Sequence, residues 1–219
     1  MDDRIEQARL LYERAVFSGD AGPLAEADRE LDAVEADLAL ARGRLVHTRF
    51  LLRRDEDAAA ADEDPAELAL FERAAALYRS LGDAGGQAQA LFWVGCFHQV
   101  VRRDNATAVP LFERSLHQAA QAGDKATMSE ALRHLGIEAH ATGRLDLARQ
   151  RLEESTRLRR DIGSLPGAAA NMIGLAYIAA AQERHDDARA LLDEASAIAE
   201  ATGAPRIQQQ ATEARAALP

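Results

Sequence analysis

A chain of 219 residues that is 47% hydrophobic but only 5% aromatic has the length of one domain or one short repeat array, with alanine supplying much of its apolar content. Its 36 acidic residues outnumber its 26 basic ones, and the resulting formal charge of -10 repels a polyphosphate backbone, which argues against general nucleic-acid binding. Cys96 is the sole cysteine, so an internal disulfide and a cysteine-only zinc site are both excluded. The opening MDDRIEQARLLYERA lacks the basic start and apolar centre of a signal peptide, and no apolar run approaches the roughly 20 residues that span a bilayer. The expected location is therefore cytoplasmic, without a membrane partner. Alanine has the best helix propensity, and six prolines leave room for long helices, so the class is all-α.

The first helix is expected from Arg4 to about Ser18, capped by Asp3, with Ala8, Leu11, Tyr12 and Ala15 on one face. Gly19-Asp20 and Gly22-Pro23 end it. A proline-free run follows from Leu24 to about Arg54, with Leu24, Leu31, Leu38, Leu45 and Leu52 spaced by seven. That row reads either as a coiled-coil seam or as the stripe by which a long helix of the array packs on its neighbours; a break near Ala36 is a further option. Residues 55–65, DEDAAAADEDP, form an exposed acidic connection without the glycine and spaced oxygen ligands of a calcium loop.

From Pro65 onward the chain repeats. Phe71-Glu72-Arg73 returns as Phe112-Glu113-Arg114, Gly82-Asp83 returns as Gly123-Asp124, and Ala108, Ala148 and Ala188 recur at a spacing of 40, as do Gly123, Gly163 and Gly203. In each Gly-Asp pair, glycine ends one helix in a left-handed turn and Asp caps the next; Ser164 with Pro166 takes the second role later. The final run after Gly203 is polar except for Ile207, Ala211, Ala214 and Leu218, the pattern of a terminal capping helix.

Val94-Gly95, Leu135-Gly136 and Leu175-Ala176 resemble the large-then-small pair in the first helix of a tetratricopeptide repeat. Ala108, Ala148 and Ala188, then Phe112, Leu152 and Leu192, then Ser115, Ser155 and Ala195 match the small–large–small positions of its second helix. The forty-residue unit is similar to the long-helix variant of kinesin-light-chain-type and bacterial regulatory repeats. The resemblance implies an α-α superhelix of about ten helices in antiparallel pairs. It divides the single domain into a capping helix 1–20, repeats at 23–82, 84–123, 124–163 and 164–203, and a C-terminal cap 204–219. Three departures stand out: Glu67 replaces an alanine, a late proline is missing, and the second repeat carries one extra residue near Asn105.

The resemblance also implies that the first helices line a concave groove. By register, the lining comprises Arg44, His47 and Leu51, then Phe92, Trp93, Cys96 and Gln99, then Arg133, His134, Ile137 and His140, ending near Ile173 and Tyr177. Trp93 is equally readable as a core residue. Arginines and aromatics are the types that most often anchor an interface. His134 and His140 are six apart and Cys96 and His98 two apart, so neither pair has metal-ligand spacing on a helix. GDAGG at 82–86 has no following lysine and is an inter-repeat turn, not a phosphate loop. Catalysis by Cys96 with a neighbouring histidine is the one nucleophilic arrangement available, and the reading is that no catalytic residue, metal or cofactor is present. With Lys125 as the only lysine, the lysine-based grip of chaperone-tail binders is absent. The paired arginines Arg53-Arg54, Arg102-Arg103 and Arg159-Arg160 read as helix-end charges.

The first functional reading is a non-enzymatic scaffold that holds a peptide or partner-protein segment in the groove. A sensor for a small molecule or signal peptide is the alternative, and an enzyme using the groove histidines a third. Exposure of the leucine row predicts a homodimer through the N-terminal helix.

Overall fold

Left-handed glycines set the rhythm of the fold. In the computed structural model, which describes residues 2–57 and 62–218, Gly19, Gly82, Gly123, Gly143, Gly163 and Gly203 all sit at φ between 62° and 75°. Each closes a helix where a side chain bearing a Cβ is strained. Among the described residues the helices run α1 (Asp3–Ser18), α2 (Leu24–Glu56), α3 (Pro65–Leu81), α4 (Ala84–Cys96), α5 (Asn105–Ala122), α6 (Lys125–Ala141), α7 (Leu145–Asp161), α8 (Leu165–Ala181), α9 (His185–Ala201) and α10 (Pro205–Ala217). A π-helical segment, Phe97–Val101, extends α4. The architecture is all-α, with helices packed sequentially in antiparallel pairs. No helix among the described residues is long and apolar enough to cross a membrane.

The chain forms two compact units, Met1–Ala108 and Val109–Pro219. In the first, α1 packs on α2, α2 on α3, and α3 on α4. Asp2, one residue earlier than expected, caps α1 by accepting a 2.9 Å hydrogen bond from the Arg4 backbone N–H. α2 is a single helix of 33 residues without the break considered near Ala36, a residue that is fully buried. Of the expected acidic connection at 55–65, α2 takes the first two residues and Pro65 starts α3, while 58–61 lie outside the described residues.

The leucine row of α2 stays on the surface of the unit. Leu24, Leu31, Leu38, Leu45 and Leu52 are between 40% and 59% exposed, whereas Ala36, Ala39, Leu40, Gly43, Val46, His47 and Phe50 are buried. This overturns the expectation that the row serves as the array-facing stripe. The cause is a close approach at Gly43. A Cβ there would lie 2.5 Å from a ring carbon of Phe71, so only glycine admits the phenylalanine. That contact turns the small residues of α2 toward α3 and the leucines outward.

The extra residue of the second repeat, expected near Asn105, is absorbed earlier. The π-helical turn at Phe97–Val101 accommodates it, since a π turn is an α-helix with one residue inserted.

In the second unit α6 packs on α7, α7 on α8, α8 on α9, and α10 closes against α9 and α8. The approach seen at Gly43 recurs: a Cβ at Gly136 would stand 3.0 Å from Leu152 Cγ. Asp83 accepts from the Gly86 N–H at 2.8 Å and Asp124 from the Thr127 N–H at 3.1 Å, as capping requires. Ser164 occupies the cap position of α8 but makes no capping bond with its side chain, and Pro166 sits in the first turn of the helix. Ala211 and Ala214 of α10 are buried, with Ile207 and Leu218 packed beside them.

Because the Gly43 contact fixes the face of α2, Gly43→Ala is expected to lower stability by about 1–3 kcal/mol through overpacking. Urea unfolding checks this: the midpoint should fall, and Phe71→Leu in the same chain should recover part of the loss.

Candidate functional site

The expected lining residues of the first unit gather around Trp93. Its ring stacks on Phe71 at 5.5 Å and 18°, meets His47 edge-on at 5.4 Å and Phe92 edge-on at 5.3 Å, and lies 5.4 Å from the Arg44 guanidinium. Trp93 is half-buried and so combines both readings open to it, packing on one side and exposed on another. His47 is buried and its Nδ1 lies 2.7 Å from Glu67 Oε1, itself fully buried. Arg44 is half-buried, with its Nε unpartnered, and burial pushes its pKa down. Burial removes three of the expected lining residues from solvent contact: His47 is drawn in by Glu67, and Phe92 and Cys96 are 3% and 2% exposed. Gln99 sits in the π-helical turn and donates to Asn105 Oδ1 at 3.1 Å.

In the second unit the informative feature is a chain of polar side chains through the core. Arg133 of α6 donates to Asn171 Oδ1 of α8 at 2.7 Å, Asn171 donates to Ser155 Oγ of α7 at 2.8 Å, and Ser155 donates to the Ser129 carbonyl at 2.6 Å. Asn171 and Ser155 are fully buried. Beside them Arg159, also buried, donates to the Gly167 carbonyl at 2.7 Å and pairs with Glu130 at 2.6 Å. Arg159 thus lies in the last turn of α7, as expected of a helix-end charge, but is also a buried structural cation.

Burial, with Arg159 repulsion added and Glu130 only partly opposing, pushes Arg133 down to about 10. It remains a cation at neutral pH, and one short of counter-charge. Ile137, one turn on, is 40% exposed, and Tyr177 on α8 is 36% exposed. His140 is half-buried; His134 is half-buried against the Phe112 ring at 5.2 Å; Ile173 is buried. Of the expected lining residues in this unit, Arg133, Ile137 and Tyr177 therefore combine a charge, apolar area and solvent access.

No family model matches the sequence, and no curated protein does. Among solved structures the chain is similar to BtubC (BKLC) from P. vanneervenii, at a TM-score of 0.52 and 15% identity, over 92% of this chain and 90% of that one. The fold is a tetratricopeptide-like helical repeat. In tetratricopeptide terms, Glu67 stands where Ala108, Ala148 and Ala188 stand, and a carboxylate in that small-residue slot forces a buried partner, which His47 supplies.

Asn171, Glu67, Glu130 and Arg159 were not among the expected site residues. The signal for Asn171 was present, because it is the only amide inside the apolar run of α8, LPGAAANMIGLAYIAAA. Asn171→Leu is expected to cost about 1–3 kcal/mol by stranding the buried ends of Arg133 and Ser155. Asn171→Asp, which sets a carboxylate beside the two arginines, should cost less. Chemical denaturation of both variants checks the order, and the reverse order would show that Arg133 is already charge-balanced.

Proposed function

We propose that the chain is a non-enzymatic scaffold that binds a segment of a partner protein carrying an acidic side chain and a neighbouring apolar one. The observation that carries this reading is Arg133. It is a half-buried cation whose nearest carboxylate, Glu130, already pairs with Arg159, so two guanidiniums share one counter-ion. A carboxylate from outside supplies the missing charge through a charge-assisted hydrogen bond, the strong kind of polar contact. Ile137 and Tyr177, on the same pair of first helices, offer apolar and aromatic area for the adjacent residue. Asn171 presets the guanidinium, which reduces the entropy lost on binding.

The fold supports the same reading, since rigid helical repeats bind by surface complementarity and require no cofactor for it. BtubC contributes only the likeness of fold.

Selection from a displayed random-peptide library tests the proposal. Enriched sequences should pair Asp or Glu with a large apolar residue. Ile137→Asp and Tyr177→Ala, both at exposed positions, should each weaken a selected peptide about tenfold or more while leaving helicity unchanged. Asn171→Asp should abolish the acidic preference by neutralising Arg133 internally. Enrichment without acidic residues, or affinity indifferent to all three changes, would overturn the reading.

A further inference from the structure

The exposed face of α2 carries a pattern the fold does not use. Between the outward leucines lie Asp28, Glu35, Arg42 and Arg49, all exposed, so the face reads leucine–acid–leucine–acid–leucine–base–leucine–base–leucine from Leu24 to Leu52. The order is symmetric about Leu38 in leucine and antisymmetric in charge. The wider helix shares the asymmetry: the half before Leu38 carries six carboxylates and one arginine, the half after it five arginines and, at its end, two carboxylates. Among the described residues Asp28, Arg42 and Arg49 have no ion-pair partner, and Glu35 pairs with Arg73 at 2.7 Å on the surface.

Two copies laid antiparallel bring the leucines into register and the charges into opposition. Leu24 meets Leu52 of the second copy, Leu31 meets Leu45, and Leu38 meets itself on the two-fold axis. Asp28 comes within one residue of the level of Arg49 and Glu35 within one residue of Arg42, each pair occurring twice by symmetry. A parallel pair sets Asp28 on Asp28 and Arg42 on Arg42, which like-charge repulsion opposes. A self-complementary patch is what a two-fold dimer requires. The seven-residue spacing keeps the row in line along a left-handed pair of helices for about 42 Å, at about 1.5 Å per residue.

A receptacle lies at the N-terminal end of the row. Ile5, Ala8, Tyr12, Leu24, Ala27 and Leu31 of α1 and α2 line an apolar cleft of about 390 Å³. In the antiparallel arrangement Leu52 of the second copy arrives there, as a knob entering a hole.

We propose that α2 is the homodimer interface of this protein, two copies pairing their leucine rows antiparallel about Leu38. This proposal stands on the first unit alone and does not depend on the peptide site of the second.

Sedimentation equilibrium of the full chain should give a dimer. Leu38→Glu should give a monomer of unchanged helicity by circular dichroism, because Leu38 is 47% exposed in the single chain. Asp28→Arg should weaken the dimer about tenfold or more by placing arginine against arginine twice, and adding Arg49→Asp should restore it. For orientation, Leu24→Cys mixed with Leu52→Cys should form a disulfide-linked pair, while neither variant does so alone. A wild type that stays monomeric into the sub-millimolar range, failure of the double charge swap to restore association, or self-linking of Leu24→Cys would each overturn the proposal.

Discussion

The structure depends on helices approaching closely enough for one large side chain to enter the space left by a missing one. At Gly43 the guest is Phe71, and at Gly136 it is Leu152. Both pairs set a first helix against the second helix of the same hairpin, and in both the fully buried side chain is the largest at its contact. Close packing of this kind has two solutions at most, because a Cβ at the glycine would collide and a smaller guest would leave a void. It therefore dictates which face of each helix points inward. All other surface properties of a helix follow from that choice, including what is left to meet solvent.

This dependence explains what could be read in the chain and what could not. Repetition at forty residues, left-handed glycines and capping aspartates are local signals, and they located the helices and the all-α repeat class. The orientation of α2 was not local. Its leucines form the most regular apolar stripe in the chain, and an amphipathic reading assigns such a stripe to the core. The stripe lost to Ala36, Ala39 and Gly43, whose small size permits the close contact that leucines would prevent. Propensity and periodicity describe one helix, whereas a close approach belongs to two. The extra residue of the second repeat escaped in a similar way, since sequence spacing reveals an insertion but not the helical turn, Phe97–Val101, that absorbs it.

The candidate site shows the same division. Register placed Arg133, Ile137 and Tyr177 on accessible faces, but it also nominated His47, Phe92 and Cys96, which are buried. His47 failed because its fate was decided by Glu67, a residue twenty positions away that departs from the repeat. The departures from the repeat pattern are the better guide. Where alanine suffices for packing, as Ala108, Ala148 and Ala188 show, a buried carboxylate or amide costs desolvation and demands a partner. Glu67 with His47 meets that demand in one unit, and Asn171 with Arg133 and Ser155 in the other.

Neither cluster is fully satisfied, since Glu67 Oε2 and Arg159 Nε are buried without a hydrogen-bond partner, but the two differ in how charge is met. Arg159 and Glu130 account for each other, and Asn171 offers Arg133 only an uncharged oxygen. Arg133 thus has no carboxylate of its own, on a protein whose overall charge is -10. The acidic partner proposed above would be repelled by most of the surface and attracted at that point, so the net charge would sharpen selectivity for position while lowering the rate of encounter. The leucine face of α2 uses charge differently: opposite signs at its two ends let the same helix attract a reversed copy of itself and repel an aligned one. On the two proposals, one surface would select its partner by an unbalanced charge, and the other by a balanced charge arranged in order.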